Sequence, residues 1–322
     1  MTITAQRSSQ TVPLDASKDS APCPSSPPTG QRPNLKICRI GLVSRNYWDK
    51  LPRKFDFSGV LREVLDLLDK DAHKCDMVLF SLWSIIWPFS VKKHLSAMNP
   101  RHIKAVLYEE FRLKENISKK DIPKRKKFPA KPGGSRFVVC YRNNGAWHEY
   151  KFKGVFASLN PGKRDREEAK AAGWKVEDWM DAKAKCLISR LPERVLGNCC
   201  VIVCGESNIV RRRRPDKEWE VHDESHIKKA MPKNVRIVLN PGHDRMGPRM
   251  NLKRKFLSKA PGRWVLCVWN KDKRGKHRNE RDGKKPAWMA FCNGQEETET
   301  IKPLKDLPKE LQGVKVGVAF CG

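Results

Sequence analysis

The sequence predicts an α+β protein in which sheets and helices form layers. Short, strongly apolar segments alternate with segments whose apolar residues recur at helical spacing. Strand-like segments dominate after Arg136, and no motif repeats at a fixed period, which argues against a repeat architecture. The 10 Trp and 12 Phe residues are too many large aromatic side chains for a chain that never packs. We therefore expect a folded body of layered sheets and helices.

The beginning of the chain is predicted to contain a tail, a strand, a helix and a second strand. Residues 1–34 are rich in Ser, Pro, Thr and Gln and cannot bury enough apolar surface to offset the entropy of ordering, so we predict a disordered tail. The folded domain is expected to cover residues 35–322. Residues 36–44 are predicted to form a short strand, residues 57–74 a helix, and residues 75–86 a strand buried on both faces.

The middle of the chain is predicted to contain helices, a basic loop and a hairpin. Residues 90–111 are predicted to form one or two helices, and residues 112–136 are predicted to form a basic loop outside the core. A hairpin is expected over residues 135–156, because Asn144-Gly145 between two strand-like segments is a strong turn signal.

The last part of the chain is predicted to alternate strands with charged connections. Residues 162–190 are charged and are predicted to be helical. The predicted strands that follow are residues 197–208, 234–244, 263–272, 286–294 and 314–320.

The net charge is the strongest feature of the composition. Lys and Arg number 66 against 36 Asp and Glu, which leaves a formal charge of +30, more than solubility requires. The basic residues cluster at 119–127, 211–214, 251–259 and 270–285. Basic clusters on several loops are typical of proteins that contact phosphate backbones, although a run of charge is also typical of a solvated face. No recognition helix or zinc finger accompanies these clusters, so sequence-specific nucleic-acid recognition is not indicated.

The sequence predicts a cytoplasmic protein without a metal or a cofactor. No stretch approaches the roughly 18 consecutive apolar residues of a membrane-spanning helix, and the first residues lack the apolar core of a secretory signal. The 11 Cys residues include no CxxC pair, which favours reduced thiols over a zinc site. Phosphate-binding and dinucleotide-binding glycine motifs are absent from the sequence.

Cys204 is the candidate nucleophile. It stands at the end of an apolar strand-like run and directly before a glycine, where a sharp turn can present a thiolate at the rim of a sheet. Acyl chemistry would also need a nearby cation or base and donors for the developing oxyanion. The alternative is that Cys204 is a buried core residue like Cys199 and Cys200, because free cysteine is among the most buried residue types.

The order of these segments resembles the nitrilase, or carbon-nitrogen hydrolase, superfamily from about Lys36 to the C-terminus. The similar parts are the first strand and helix, CDMVLFSLWS, the hairpin FVVCYRNNGAWHEYKFKGVF, NCCVIVCGE, and RIVLNPGHD followed by RWVLCVWN and AWMAFCNG. The resemblance implies a four-layer αββα sandwich and a Glu, Lys and Cys triad. In that triad Cys204 would attack an amide or nitrile carbon and water would release the acid.

The resemblance also assigns roles to residues around Cys204. Lys153 would stabilise the oxyanion, with Lys151 as the second choice, and Glu206 would orient the turn. The family carries its general-base Glu just after the second apolar strand, and this chain has Leu82 there, which cannot accept a proton. Glu109 and Glu110 are the alternative candidates for the base, and Glu206 is a further acid that could reach the site.

The expected ligands follow from the same resemblance and from the charge. Arg211, Arg212, Asn240 and His243 are candidate binding residues, and the arginines would attract an anionic amide or nitrile. The second hypothesis is a nitrilase-like scaffold that has lost its base and binds nucleic acid or a protein partner through its basic surface. Proteins of this family commonly form dimers, so a homodimer is expected, and no membrane association is expected.

Overall fold

A computed structural model describes residues 33–45, 56–112, 135–155, 161–213, 220–243, 248–270 and 286–322. The predicted tail lies outside these residues, apart from its last two positions. Most of the predicted basic loop also lies outside them, as does the connection at 271–285. None of the described helices is both long and apolar enough to cross a bilayer.

The strands of the first sheet come from both ends of the described chain. In chain order they are β1 (Arg39–Arg45), β2 (Met77–Phe80), β3 (Ile85–Ile86), β4 (Ala105–Phe111), β5 (Arg136–Asn143), β6 (Ala146–Phe152), β15 (Lys302–Pro303) and β16 (Val314–Phe320). Their order across the sheet is β15-β16-β1-β2-β4-β5-β6, with β3 beside β4. Strands β1, β2 and β4 are parallel, and the predicted hairpin pairs β5 with β6 in antiparallel register.

The second sheet is built from the strands that follow the hairpin. Its strands are β7 (Val195–Leu196), β8 (Cys199–Val201), β11 (Ile237–Pro241), β12 (Trp264–Val268), β13 (Trp288–Cys292) and β14 (Gln295–Glu296). They are ordered β14-β13-β12-β11-β8-β7, and β8, β11 and β12 are parallel. A separate ribbon pairs β9 (Arg211–Arg213) with β10 (Glu220–His222).

The two sheets pack face to face. Alternate residues of each strand point to opposite faces, so Leu42 and Leu107 of the first sheet share one apolar cluster with Leu239 and Leu266 of the second. Burying both faces of each sheet explains why the strands are nearly continuous apolar segments. This inner cluster is the centre of the molecule.

Helices cover the outer faces of both sheets. The helices α1 (Leu61–Asp69) and α2 (Val91–Met98) pack on the first sheet. The second sheet is covered by α3 (Lys163–Ala171), α4 (Val176–Ser189), α5 (Ile227–Ala230) and α6 (Pro248–Leu257). The layers therefore run helix, sheet, sheet, helix, which confirms the predicted four-layer αββα sandwich.

The helical prediction for residues 90–111 is half wrong. Helix α2 begins after Ser90, whose side chain accepts a hydrogen bond from Lys93 N, and it ends at the left-handed Asn99, before Pro100. The next segment, AVLYEEF, forms β4 and is buried throughout. One face of β4 packs on the second sheet and the other packs under the helices, so both faces are covered and the usual alternation that identifies a strand is absent. As a result Glu109 and Glu110 lie on a strand, facing opposite sides.

Several strands end at the same edge of the sandwich. The carboxyl ends of β2 and β4, and that of β6, lie at one edge of the first sheet, because β6 is antiparallel to β5 and β5 to β4. Leu82 N, after β2, donates a hydrogen bond to Gly242 O, after β11, so the carboxyl ends of the second sheet meet the same edge. Such an edge is where open α/β sheets usually bind ligands.

Gly317 allows the two sheets to approach closely. A Cβ added to this residue of β16 would lie 2.9 Å from Trp288 Cζ2 and 3.0 Å from Ile301 Cγ2. Both of those side chains belong to the inner cluster. We expect Gly317→Ala to lower the free energy of unfolding by about 1–3 kcal/mol, measured by urea denaturation, because the packed sheets would have to separate. Lys315→Ala, an exposed position of the same strand, is the control. Equal stability of the two variants would contradict the close approach.

Candidate functional site

Cys204 lies at the shared edge of the two sheets. It follows β8 and begins a short 3₁₀ turn, Cys204–Ile209, and only 4% of its surface is exposed. The predicted turn after the strand is therefore present, and the thiol is nearly enclosed. Neighbouring cysteines are ordinary core residues, because burial raises the pKa of Cys200 to about 12 and that of Cys267 to about 11.

Glu206 holds the turn together from inside. Its side chain is 0% exposed, and Oε2 accepts a hydrogen bond from Val203 N at 3.1 Å and a charge-assisted one from Arg194 Nη1. Oε1 accepts from Val155 N at 2.7 Å. All of these donors belong to segments that meet at the turn, so Glu206 fixes their relative positions.

The segment carrying Lys153 is attached to the Cys204 turn through this carboxylate. Arg194 Nη2 donates to Lys153 O at 3.3 Å while Nη1 of the same guanidinium binds Glu206. A Cβ on Gly154 would lie 3.4 Å from Val203 Cγ2, so the two segments are in van der Waals contact. Lys153 follows the end of β6 at Phe152, and its side chain is exposed.

Lys151 lies on the other side of the first sheet. Its strand neighbour Phe152 faces the inner cluster, so Lys151 faces the helix side. There its ammonium lies 3.3 Å from Glu110 Oε2 and 3.6 Å from Glu149 Oε1. Lys151 and Glu110 thus form an ion-paired group away from the face that carries Glu109.

Glu109 lies on the inner side of β4, near the end of the strand. Like Ala105 and Leu107 it faces the second sheet, and its side chain is 1% exposed. Its Oε2 accepts a hydrogen bond from Trp83 N at 2.7 Å and lies 3.1 Å from His243 Nε2. The rings of Trp83 and His243 are 4.0 Å apart between centroids. The structure therefore brings Glu109 and His243 together from different sheets.

Leu82 is a core residue, as expected of a leucine. It is buried in the inner cluster, and its backbone N–H and C=O bind Gly242 O and Asn270 Nδ2. The next residue, Trp83, is the one whose N–H donates to Glu109. A carboxylate from β4 thus reaches the backbone beside Leu82, although the segment after β2 has no acid of its own.

Asn240 is buried and holds other side chains in place. Its Nδ2 donates to Ile202 O at 2.6 Å and to Ser207 Oγ at 2.9 Å, while Oδ1 accepts from Arg254 Nε at 3.0 Å. Asn240 therefore braces the turn after Cys204 against α6.

The first three residues of the basic cluster 211–214 form strand β9 of the separate ribbon. Arg211 is exposed and lies 3.2 Å from both Asp181 Oδ1 and Glu224 Oε2. The backbone of Arg212 pairs with Val221 in the ribbon, and its side chain lies outside the described part of the structure.

Two buried cations beside the turn escape sequence reasoning. Arg194 contacts Glu206, and Lys253 of α6 donates to Asn208 Oδ1 at 2.9 Å. Lys253 stands in the basic run 251–259, where composition suggests a solvated surface. Its burial could be predicted only from the packing of α6 on the turn. Among the described residues no group of His, Cys, Asp and Glu is arranged to hold a metal ion.

Comparisons with known proteins give fold-level similarity only. No family model and no curated protein matches the chain. A carbon-nitrogen hydrolase from Helicobacter pylori G27 is similar in structure with a TM-score of 0.38 and 10% identity, covering 89% of this chain and 90% of that one. XC1258 from Xanthomonas campestris, a CN-hydrolase superfamily protein with an arsenic adduct in its active site, gives a TM-score of 0.40 and 10% identity over 88% and 91% of the two chains.

The buried pair of Arg194 and Glu206 should be essential for stability. We expect Arg194→Met to lower the free energy of unfolding by about 3–5 kcal/mol, because it leaves the Glu206 carboxylate buried without its cation. Chemical denaturation would measure the loss.

A double variant separates loss of the pair from loss of packing. Combining Arg194→Met with Glu206→Gln removes both charges and should recover part of the loss. Arg62→Met, which breaks an exposed pair with Asp66, is the control and should change little. A single variant as stable as this control would contradict the role of the pair.

Proposed function

We propose that the protein hydrolyses non-peptide carbon-nitrogen bonds, in an amide or a nitrile, as a distant carbon-nitrogen hydrolase. Cys204 is the nucleophile, Glu109 the general base and Lys153 the oxyanion stabiliser. Glu206 orients the Cys204 turn and the Lys153 segment, and His243 positions Glu109.

One observation carries this proposal: the contact between the Glu109 carboxylate and Trp83 N, at 2.7 Å. The family's base would stand at Leu82, and Glu109 reaches the adjacent backbone from the neighbouring strand. Because Glu109 is almost fully buried on the inner face, it is an acid held in position at the edge of the sandwich rather than a solvated surface charge. The loss of an acid at one position is thus offset by an acid on β4.

The register of the first sheet links Glu109 to the Cys204 turn. Glu109 pairs with Phe137 of β5, which pairs with Phe152 of β6. A Cβ on Gly154 would lie 3.5 Å from Phe137 Cε2, and Gly154 also faces Val203 and Glu206. The carboxylate and the turn therefore lie along one side of the same edge.

Water is the only reactant that the hydrolysis requires besides the amide or nitrile. The Cys204 thiol gives its proton to Glu109 and its sulfur bonds to the amide carbon, and the proton then leaves with the amine as the carbon-nitrogen bond breaks. Glu109 next takes a proton from water, whose oxygen attacks the thioester carbon. The carbon-sulfur bond breaks, the acid is released and the thiol is regenerated. A nitrile would instead form a thioimidate and consume a second water.

The neighbouring acids Glu109 and Glu110 provide a matched test. On a panel of amides and nitriles we expect Glu109→Gln to lower kcat by about 10²–10⁴-fold, because amide side chains cannot accept the proton. Glu110→Gln, on the opposite face of the same strand, should keep kcat near that of the wild type. Cys204→Ser should abolish the thioester that mass spectrometry would detect. Equal activity of the Glu109 and Glu110 variants would contradict the assignment of the base.

A second candidate function, nucleic-acid binding, is favoured by one exposed aromatic side chain. Trp87 is 46% exposed, and Arg112 Cζ lies 4.0 Å from the centroid of its ring. Bases stack on such aromatic and guanidinium surfaces, and basic residues contact the phosphates. In the sequence the basic tract 119–127 follows Arg112 closely, and the net charge is +30. The partner that fits this chemistry is single-stranded nucleic acid, bound without sequence preference.

Binding of a fluorescent single-stranded oligonucleotide tests this second function. We expect the logarithm of affinity to fall linearly with the logarithm of salt concentration, and Trp87→Ala to weaken binding about tenfold through lost stacking. Phe320→Ala is the matched control, because Phe320 is also exposed and has an arginine, Arg39, over its ring. An absence of binding at low salt, or equal effects of the two substitutions, would refute the assignment.

A further inference from the structure

Arg263 is a buried cation whose donors are not all satisfied. It precedes β12, and only 7% of its surface is exposed. Within the described part of the chain, its Nε and Nη1 atoms are buried and have no hydrogen-bond partner. Most buried polar groups in proteins are paired, so these two nitrogens need an explanation.

Arg236 lies beside Arg263. In the parallel register of β11 and β12, Ile237 is opposite Trp264, so the residues one position earlier, Arg236 and Arg263, are also neighbours. Each lies two residues before a valine, Val238 or Val265, that packs under the helices of the second sheet. The two arginines therefore belong to the same outward-facing rows of their strands.

No acid of the described chain compensates the charge of Arg263. The groups that act on it electrostatically are Arg236, which is also positive, and the Cys200 thiol. Burial lowers the pKa of Arg263, with Arg236 adding to that effect. Arg236 is exposed and donates through Nη1 to Pro261 O at 2.9 Å. Arg263 is therefore a buried cation, and Arg236 is an exposed cation beside it.

This arrangement is costly without an anion. Buried guanidinium nitrogens without acceptors lose their hydration with no compensating hydrogen bond, and a second positive charge beside them increases the cost. An oxyanion would supply both the negative charge and several acceptor oxygens. Arginine suits such ligands because it is weakly hydrated and always charged.

We propose that Arg236 and Arg263 form a binding site for phosphate or a phosphomonoester. Arg263 holds the anion at the inner end, and Arg236 contributes charge at the surface. The site lies at the amino ends of β11 and β12, at the opposite edge of the sandwich from Cys204, so it is separate from the proposed hydrolase site.

A calorimetric titration tests this site. Inorganic phosphate is added to the full-length protein at fixed ionic strength. We expect saturable binding that also raises Tm, because the anion binds the folded state. Arg263→Gln should weaken the apparent Kd at least tenfold. Arg236→Gln should weaken it by a smaller factor, and this exposed position provides the test if the Arg263 variant does not fold. Arg62→Gln, an exposed arginine of α1, should leave the Kd unchanged.

The outcome also identifies the source of the phosphoryl group. Binding of a nucleoside monophosphate with comparable affinity would assign the site to a phosphomonoester, and binding of inorganic phosphate alone would assign it to the free anion. The proposal is overturned if the wild type shows no saturable phosphate binding. It is equally overturned if folded Arg263→Gln or Arg236→Gln protein binds phosphate as tightly as the wild type.

Discussion

The buried carboxylate of Glu206 organises the edge of the sandwich at which the candidate residues meet. It joins the turn after β8, the segment after β6 and Arg194 through hydrogen bonds in the interior, where an unpaired polar group is costly. The position of Cys204 relative to the Lys153 segment depends on this one side chain. A carboxylate that satisfies so many donors holds structure, so the proposed hydrolysis assigns its general base to a different acid.

The fold was predictable from sequence because its strands differ clearly from its surface segments. Apolar runs such as residues 36–44 and 314–320 predict strands, and Asn144-Gly145 predicts the hairpin turn. Strand β4 was missed, since AVLYEEF has no alternation and follows a real helix. Two consecutive glutamates, Glu109 and Glu110, are more typical of a helix surface than of a buried strand. In the sheet they face opposite sides, which no local pattern reveals.

The candidate site was predictable only where neighbours in sequence are also neighbours in space. Cys204 and Glu206 share one turn, so their relation follows from the sequence. The contact of Glu109 with Trp83 and His243 joins three segments of two sheets, and it depends on strand order and on which face each residue takes. An alignment along the chain therefore finds Leu82 where the resemblance implies an acid, and it cannot show that Glu109 of β4 contacts the backbone of the next residue, Trp83.

The high positive charge has consequences in the interior as well as on the surface. Arg194 is neutralised by Glu206, and Arg254 is hydrogen-bonded to the amide oxygens of Asn240 and Asn251. Each of these buried arginines thus has acceptors from the protein, which is the usual condition for burying a guanidinium. Arg263 is also buried but lacks acceptors at Nε and Nη1 within the described residues. The described part of the fold provides acceptors for the first two, and the difference at Arg263 is the observation on which the proposed anion site rests.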